Sequence, residues 1–94
     1  MKIWYLLVDS HGAVYKDSSA AKVTLDDTAD VDDLRKAIKN ENPNKLSTID
    51  SSDLKIYQTK EDFEGNKHID RLSTTVENFG KDEGNAVYVL VGMI

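Results

Sequence analysis

Adjacent acidic residues are the first candidates for chemistry in this sequence. Pairs occur at Asp26-Asp27, Asp32-Asp33 and Asp82-Glu83, among others, and carboxylates of this kind can bind a cation or exchange protons. Neighbouring residues on a strand or a helix point in different directions, so the two members of a pair rarely converge on one ion. The spacing of an EF-hand calcium loop is also missing. We therefore interpret these acids as solvated residues that cap helices and form turns, and we expect no metal site.

The histidines, glycines and cysteines add little to a catalytic hypothesis. His11 falls in a polar turn and His68 beside a candidate strand, and no serine or aspartate lies at a spacing that suggests a triad. The five glycines are isolated, so no glycine-rich phosphate loop is present. The chain contains no cysteine, which excludes thiolate catalysis, disulfides and cysteine-based zinc sites. We expect no catalytic residue and no cofactor, and hence no enzyme.

The charge of the chain argues against two further classes of function. A formal net charge of −5 disfavours nucleic acid, which needs a basic face that displaces counterions. It also disfavours docking on an anionic membrane surface. No stretch approaches the roughly 20 apolar residues of a membrane-spanning helix. A protein is the partner class that remains.

Aromatic residues on candidate strands are the best candidates for protein binding. Trp4 is the only tryptophan, and it would most simply be a core residue. On an open sheet face it would instead be an anchor of the kind that dominates interfaces. Tyr5, Tyr57 and Tyr88 would join such a patch if they lay on the same face. An exposed edge strand is the alternative site, because its free N–H and C=O groups can accept a partner's strand.

Two strands at the ends of the chain must position these aromatic residues. Lys2–Val8 and residues 86–91 are apolar on both faces, which favours central strands. The first stretch could pass for a weak signal peptide, but it is short and rich in residues that favour strands. Residues 13–25 are predicted to return as a second strand, with a bulge at the polar residues 16–19.

One segment has the periodicity of an amphipathic helix. In residues 30–42, Val31, Leu34, Ala37 and Ile38 form a single apolar stripe. An aspartate stands at the expected N-cap, and a proline follows residue 42 and stops the helix. So narrow a stripe predicts a helix that lies across a sheet.

The remaining elements complete a recognisable order. Leu54 and Ile56 of a third strand, residues 53–60, are predicted to face one way and Lys55 and Tyr57 the other. The later segments are predicted as a loop at 61–66, a short strand at 68–72, a helical turn or irregular segment at 73–79 and a turn at 82–85. We predict an α+β fold, a ubiquitin-like β-grasp in which a mixed sheet of four to five strands has one main helix across it. The two end strands form its parallel central pair, and residues 1–94 form one domain.

The stretch VDDLRKAIKNENPN followed by SSDLKIYQTK resembles the N-terminal domain of Crinkler effectors. In that family an amphipathic helix with an Asn-Pro stop leads into the strand that carries the LFLAK motif. The motif aligns here with Leu54, Lys55, Ile56, Tyr57, Gln58, Thr59 and Lys60. Leu54, Ile56 and Lys60 keep the expected character, whereas the three other positions from 57 to 59 differ in residue type.

A second landmark of the resemblance lies at the end of the chain. In that family the N-terminal domain closes with a His-Val-Leu-Val-x-x-Pro signature. The corresponding residues here are Tyr88, Val89, Leu90, Val91, Gly92, Met93 and Ile94. Val-Leu-Val is intact, while the histidine and the proline are replaced.

The resemblance implies a function as well as a fold. Crinkler proteins are secreted effectors that act inside host cells, frequently in the nucleus, and a ubiquitin-like N-terminal domain associated with delivery precedes a variable C-terminal effector domain. We therefore expect a non-enzymatic interaction and delivery domain, joined in cis to an effector domain. The alternative is a generic ubiquitin-like adaptor of the GTPase-binding or scaffold type, unrelated to effectors. A GTPase of the Ras type would want a basic strand edge, whereas this chain is acidic overall.

Overall fold

The computed structural model describes residues 1–91, apart from the side chain of Asp17. A four-stranded mixed sheet has the order β2-β1-β4-β3. Its strands are β1 (Lys2–Val8), β2 (Ala21–Thr24), β3 (Leu54–Tyr57) and β4 (Val87–Val91). β1 and β4 pair in parallel at the centre, and β2 and β3 add antiparallel at the two edges. The predicted parallel pair of end strands is confirmed.

The helix α1 (Val31–Glu41) covers one face of this sheet. Its buried residues Val31, Leu34 and Ile38 pack into the same core as the inward residues of the four strands. Asp30 caps it: the Asp33 backbone N–H donates to Asp30 Oδ1 (2.9 Å), and the Asp30 N–H donates to Asp33 Oδ2 (3.2 Å). These reciprocal bonds satisfy N–H groups that a helix start leaves unpaired. The predicted helix and its position across the sheet are confirmed, as is the β-grasp fold.

The predicted second strand is too long. Only Ala21–Thr24 pairs as a strand, and the earlier half of residues 13–25 contributes an isolated bridge between Val14 and Val8. Tyr15–Asp17 forms a short 3-10 turn in which Lys16 takes a left-handed conformation (φ 47°). Such a residue turns the chain away from an extended path. The polar residues 16–19 therefore belong to a turn that precedes the strand, and the predicted bulge is not formed.

The predicted third strand also ends early. β3 stops at Tyr57, and the side chain of Thr59 accepts a hydrogen bond from the Asp62 N–H (3.0 Å) at the start of a second helix. This helix, α2 (Lys60–Glu64), replaces the loop predicted for residues 61–66. The spacing Thr59-x-x-Asp62 is a helix-start signal. The prediction missed it because residues 53–60 were read as one strand.

Residues 68–72 do not form the predicted short strand. They run beside β3 and make one backbone hydrogen bond to it, from the Ile69 N–H to the Ile56 oxygen (2.8 Å). Residues 73–79 are irregular, and Val76 and Phe79 from this segment pack into the core. The turn predicted at 82–85 is present as a 3-10 turn, Glu83–Asn85, capped by Asp82. Across residues 1–91 no helix has the length and apolar character needed to cross a membrane.

Candidate protein-binding face

The sheet face opposite α1 carries the aromatic candidates, and we call it the open face. Along β1, buried Ile3, Tyr5 and Leu7 point toward α1 and alternate with more exposed side chains. The strand registers then fix which residues share the open face. They are Lys2, Trp4, Leu6 and the buried Val8 of β1, Lys22 and Thr24 of β2, Lys55 and Tyr57 of β3, and Tyr88 and Leu90 of β4.

Trp4 lies half-buried on the open face. It stands directly opposite Lys22 on β2, and the Lys22 ammonium lies 5.1 Å from the centroid of the indole ring. A cation at this distance is attracted to the electron-rich ring face. The contact orients the indole while leaving part of it exposed to a partner. Leu6, Tyr88 and Leu90 are also half-buried and continue this surface toward the centre of the sheet.

The helix α2 covers the part of the open face that β3 and β4 form. Phe63 of α2 packs edge-on against Tyr57, with ring centroids 5.0 Å apart, and lies 5.5 Å from the ring of Tyr88. Tyr57 is therefore only 2% exposed, and burial raises the pKa of its phenol. Tyr57, which was a candidate binding residue, therefore presents almost none of its ring surface to solvent.

Tyr5 lies on the opposite face and does not join the patch. Its ring is buried beneath α1, and its hydroxyl accepts a hydrogen bond from Asn42 Nδ2 (2.9 Å). Burial raises the pKa of Tyr5, although the hydrogen bond from Asn42 acts in the opposite direction. Asn42 thus ends α1 and fixes the buried phenol at the same time.

The charges on the strands differ in sign from those of the chain as a whole. The four described strands contain three charged residues, Lys2, Lys22 and Lys55, and all three project from the open face. On α1, by contrast, Asp32 and Asp33 occupy the first turn. Hydrogen bonds from Lys36 and Arg35 lower the pKa of Asp32. The charged strand residues of the open face are therefore all basic in a protein of net charge −5, while Glu61 and Glu83 border the face near Leu6 and Tyr88.

The LFLAK-like motif is largely part of the core. Leu54 and Ile56 are each 1% exposed, and they point toward α1 with the other inward strand residues. Lys55 and Lys60 are exposed, and Gln58 and Thr59 between them are half-buried. The folded domain thus presents the lysines of this motif to solvent and hides its apolar residues.

The domain-end motif has a similar division. Val89 and Val91 are buried, whereas Tyr88 and Leu90 are half-buried on the open face. The last three residues of the signature, 92–94, lie outside the described part of the chain.

The candidate acids and histidines do not converge. Asp32 pairs with Arg35 (3.1 Å) and Lys36 (3.0 Å) on the surface of α1. His68 pairs with Asp70 (2.6 Å), at the side of the sheet near Tyr57. Within residues 1–91, no group of three or more histidine or acidic side chains is placed to hold a metal ion.

Comparison with known proteins agrees with this geometry. A family model described as the Crinkler effector protein N-terminal domain matches residues 1–91. The match spans α1, the LFLAK-like motif and, of the second landmark, Tyr88–Val91. No curated protein matches the chain.

Proposed function

The chain belongs to the Crinkler effector N-terminal domain family, and from that premise we propose that it is a non-enzymatic domain that binds a protein partner. Residues 1–94 form one domain in this proposal, and an effector domain follows it in cis. The full protein is secreted and acts inside host cells, with the nucleus as one destination. The family match leaves an adaptor unrelated to effectors without support.

The observation that carries the binding proposal is the position of Trp4. Its indole is half-buried on a sheet face that α1 does not cover, and it is not part of the core cluster. Tryptophan is enriched among the residues that dominate binding energy, because it buries a large rigid surface. Leu6 and Tyr88 supply apolar surface beside it, and Lys22 and Lys2 supply charge. An apolar centre with a charged rim is the usual composition of a protein interface.

We predict that Trp4→Ala abolishes partner capture while the fold remains intact. Loss of a central tryptophan costs roughly 2 kcal/mol or more in binding, which is about a thirtyfold loss of affinity. The measurement is capture of host proteins on the immobilised domain, compared band by band between wild type and variant. Circular dichroism checks the fold of both proteins.

Leu72→Ala is the matched control for this prediction. Leu72 is 40% exposed, and it lies in the segment that follows Asp70, beside β3 and away from Trp4. Its replacement should leave capture unchanged. Equal capture by wild type and Trp4→Ala, with both folded, would rule out the open face as the binding surface.

The proposed delivery role makes a separate prediction. Because the apolar residues of the LFLAK-like motif are buried, a receptor that binds the folded domain meets Lys55 and Lys60. We predict that the double variant Lys55→Ala/Lys60→Ala reduces host-cell entry of a fusion between this domain and a reporter to the level of the reporter alone. Lys67→Ala, at another exposed lysine, is the control. Wild-type entry by the double variant would show that these lysines are not recognised during delivery.

A further inference from the structure

The outer edge of β2 presents unpaired backbone groups. The Leu25 N–H donates to the Met1 oxygen (2.8 Å), so this pair bonds across β1 and β2. Bonded and non-bonded pairs alternate along an antiparallel ladder. Ile3–Val23 and Tyr5–Ala21 are therefore bonded pairs, whereas Lys22 and Thr24 direct their N–H and C=O groups outward. The Trp4 N–H agrees with this alternation, because it points away from β2 and donates to the Gly80 oxygen (2.9 Å).

The two edges of the sheet are not equivalent. At β3, the Ile56 oxygen already accepts a hydrogen bond from the Ile69 N–H, and residues 68–72 run along that side. At β2, no residue in the range 1–91 bonds to the outward groups of Lys22 and Thr24. An open edge of this kind is a template for another strand. Of the two edges, β2 is the one that can accept an added strand without displacing part of the chain.

The lysines next to the β2 edge favour an acidic strand as the one that pairs with it. Lys22 projects from this edge onto the open face, and Lys2 lies beside it on β1. A second copy of the chain that paired through β2 would bring two such lysine-bearing edges together, and like charges that face each other destabilise a sheet. An acidic strand would place carboxylates against the lysines instead. Opposite charges fix the register and suppress other partners.

We propose that an extended acidic segment of the partner protein adds to the outer edge of β2 as a fifth strand of the sheet. The inference rests on the proposed protein-binding function and specifies the partner for the same face. Backbone hydrogen bonds to Lys22 and Thr24 hold the segment. Its acidic side chains alternate along the strand and meet Lys22 on the open face. Trp4 lies one strand further in, within reach of a long side chain.

The first test is selection of peptides by the 94-residue chain from a display library of random 12-residue sequences. The selected peptides should alternate apolar residues with Asp or Glu. A soluble member should shift the NMR signals of the Lys22 and Thr24 amides most strongly and slow their hydrogen exchange. Selection of basic peptides, or of peptides that leave both amides unchanged, would overturn the proposal, as would a library that yields no binder.

Two variants separate the backbone contribution from the charge. Thr24→Pro removes an outward N–H and leaves the ladder to β1 intact, because proline is tolerated where an edge N–H faces solvent. Lys22→Glu keeps the backbone and reverses the charge. Each should weaken the selected peptide at least tenfold, and a peptide with its acids changed to lysine should recover binding to Lys22→Glu. Lys67→Glu, a matched charge reversal elsewhere, should have no effect.

The outcomes distinguish this inference from the function on which it rests. If the partner lost by Trp4→Ala is captured normally by folded Thr24→Pro and Lys22→Glu, strand addition is wrong and the open-face function stands. If sedimentation shows a dimer that Thr24→Pro dissolves, a second copy occupies the edge and the proposed acidic strand is wrong. Weakened binding in both variants with recovery by the lysine peptide supports the proposal.

Discussion

Replacing Gly80 by alanine is expected to destabilise the fold more than the same replacement at any other glycine within residues 1–91. Gly80 has φ of +52°, where L side chains are rarely found, and a Cβ atom there would lie 2.4 Å from the Trp4 oxygen and 2.8 Å from the Trp4 nitrogen. Both contacts are to the backbone of β1, so rotation of a side chain cannot relieve them. The Trp4 N–H also donates to the Gly80 oxygen, and separation of the two segments would break that bond.

The size of the effect follows from these contacts. A left-handed conformation costs a non-glycine residue about 1 kcal/mol, and displacement of a central strand adds to it. We expect Gly80→Ala to lower the free energy of unfolding by roughly 3–5 kcal/mol, a large part of the stability of a domain this size. Urea titration followed by the fluorescence of Trp4 measures it. A melting temperature that falls by about 15 °C or more would be the thermal counterpart.

Gly84→Ala provides the control for the same substitution. A Cβ there would meet the Asp82 Oδ1 atom at 3.5 Å, which is ordinary contact, and the residue is exposed in a turn. Its free energy of unfolding should change by no more than about 0.5 kcal/mol. A Gly80→Ala protein as stable as Gly84→Ala would show that β1 and the chain before β4 can separate without cost.

The second large effect is expected inside the LFLAK-like motif. Ile56 is buried between α1 and the sheet, so Ile56→Ala leaves a cavity and should destabilise the domain by about 2–5 kcal/mol. Leu54→Ala should behave in the same way. Lys55→Ala, between them in sequence but exposed, should change stability by no more than about 0.5 kcal/mol. Chemical denaturation of the three variants measures the contrast.

This contrast bears on how delivery experiments are interpreted. If a Leu54 or Ile56 variant is destabilised as expected, its failure to enter cells reflects the weakened fold and does not identify a recognition signal. If Ile56→Ala were as stable as wild type, the strand would not be part of the core, and the apolar residues of the motif would be free to contact a receptor directly. Measurement of stability beside cell entry separates these two cases.

The sequence was sufficient where one periodic pattern dominated. The end strands were predictable because both faces of each are apolar, and α1 was predictable from its stripe and its caps. Residues 58–60 were not, because Gln58 and Thr59 continue the strand pattern of β3, which the cap at Thr59 interrupts. Local hydrogen bonding decided the boundary there.

The candidate site was predictable in part. The sequence placed Trp4 on a strand. It did not show which sheet face the indole occupies, because both faces of β1 are apolar and only the observed alternation of buried and exposed residues decides between them. Tyr57 was placed correctly on the face away from α1, yet its cover comes from Phe63, on a helix that was predicted to be a loop. Net charge misled for a related reason: it is a sum over the whole chain, whereas the three lysines of the strands share one face and no acid lies within the four described strands. A basic strand edge, which the total charge argued against, is present at Lys22.

The adjacency of β1 and β4 has a consequence for the biosynthesis of this domain. β1 leaves the ribosome first, but its central neighbour is the last strand, Val87–Val91. Contacts between distant parts of a chain form late, because loop closure must precede them. The nascent chain therefore holds an apolar, half-paired strand until translation of the whole domain is complete. A chaperone that shields residues 2–8 during that interval would protect them from aggregation.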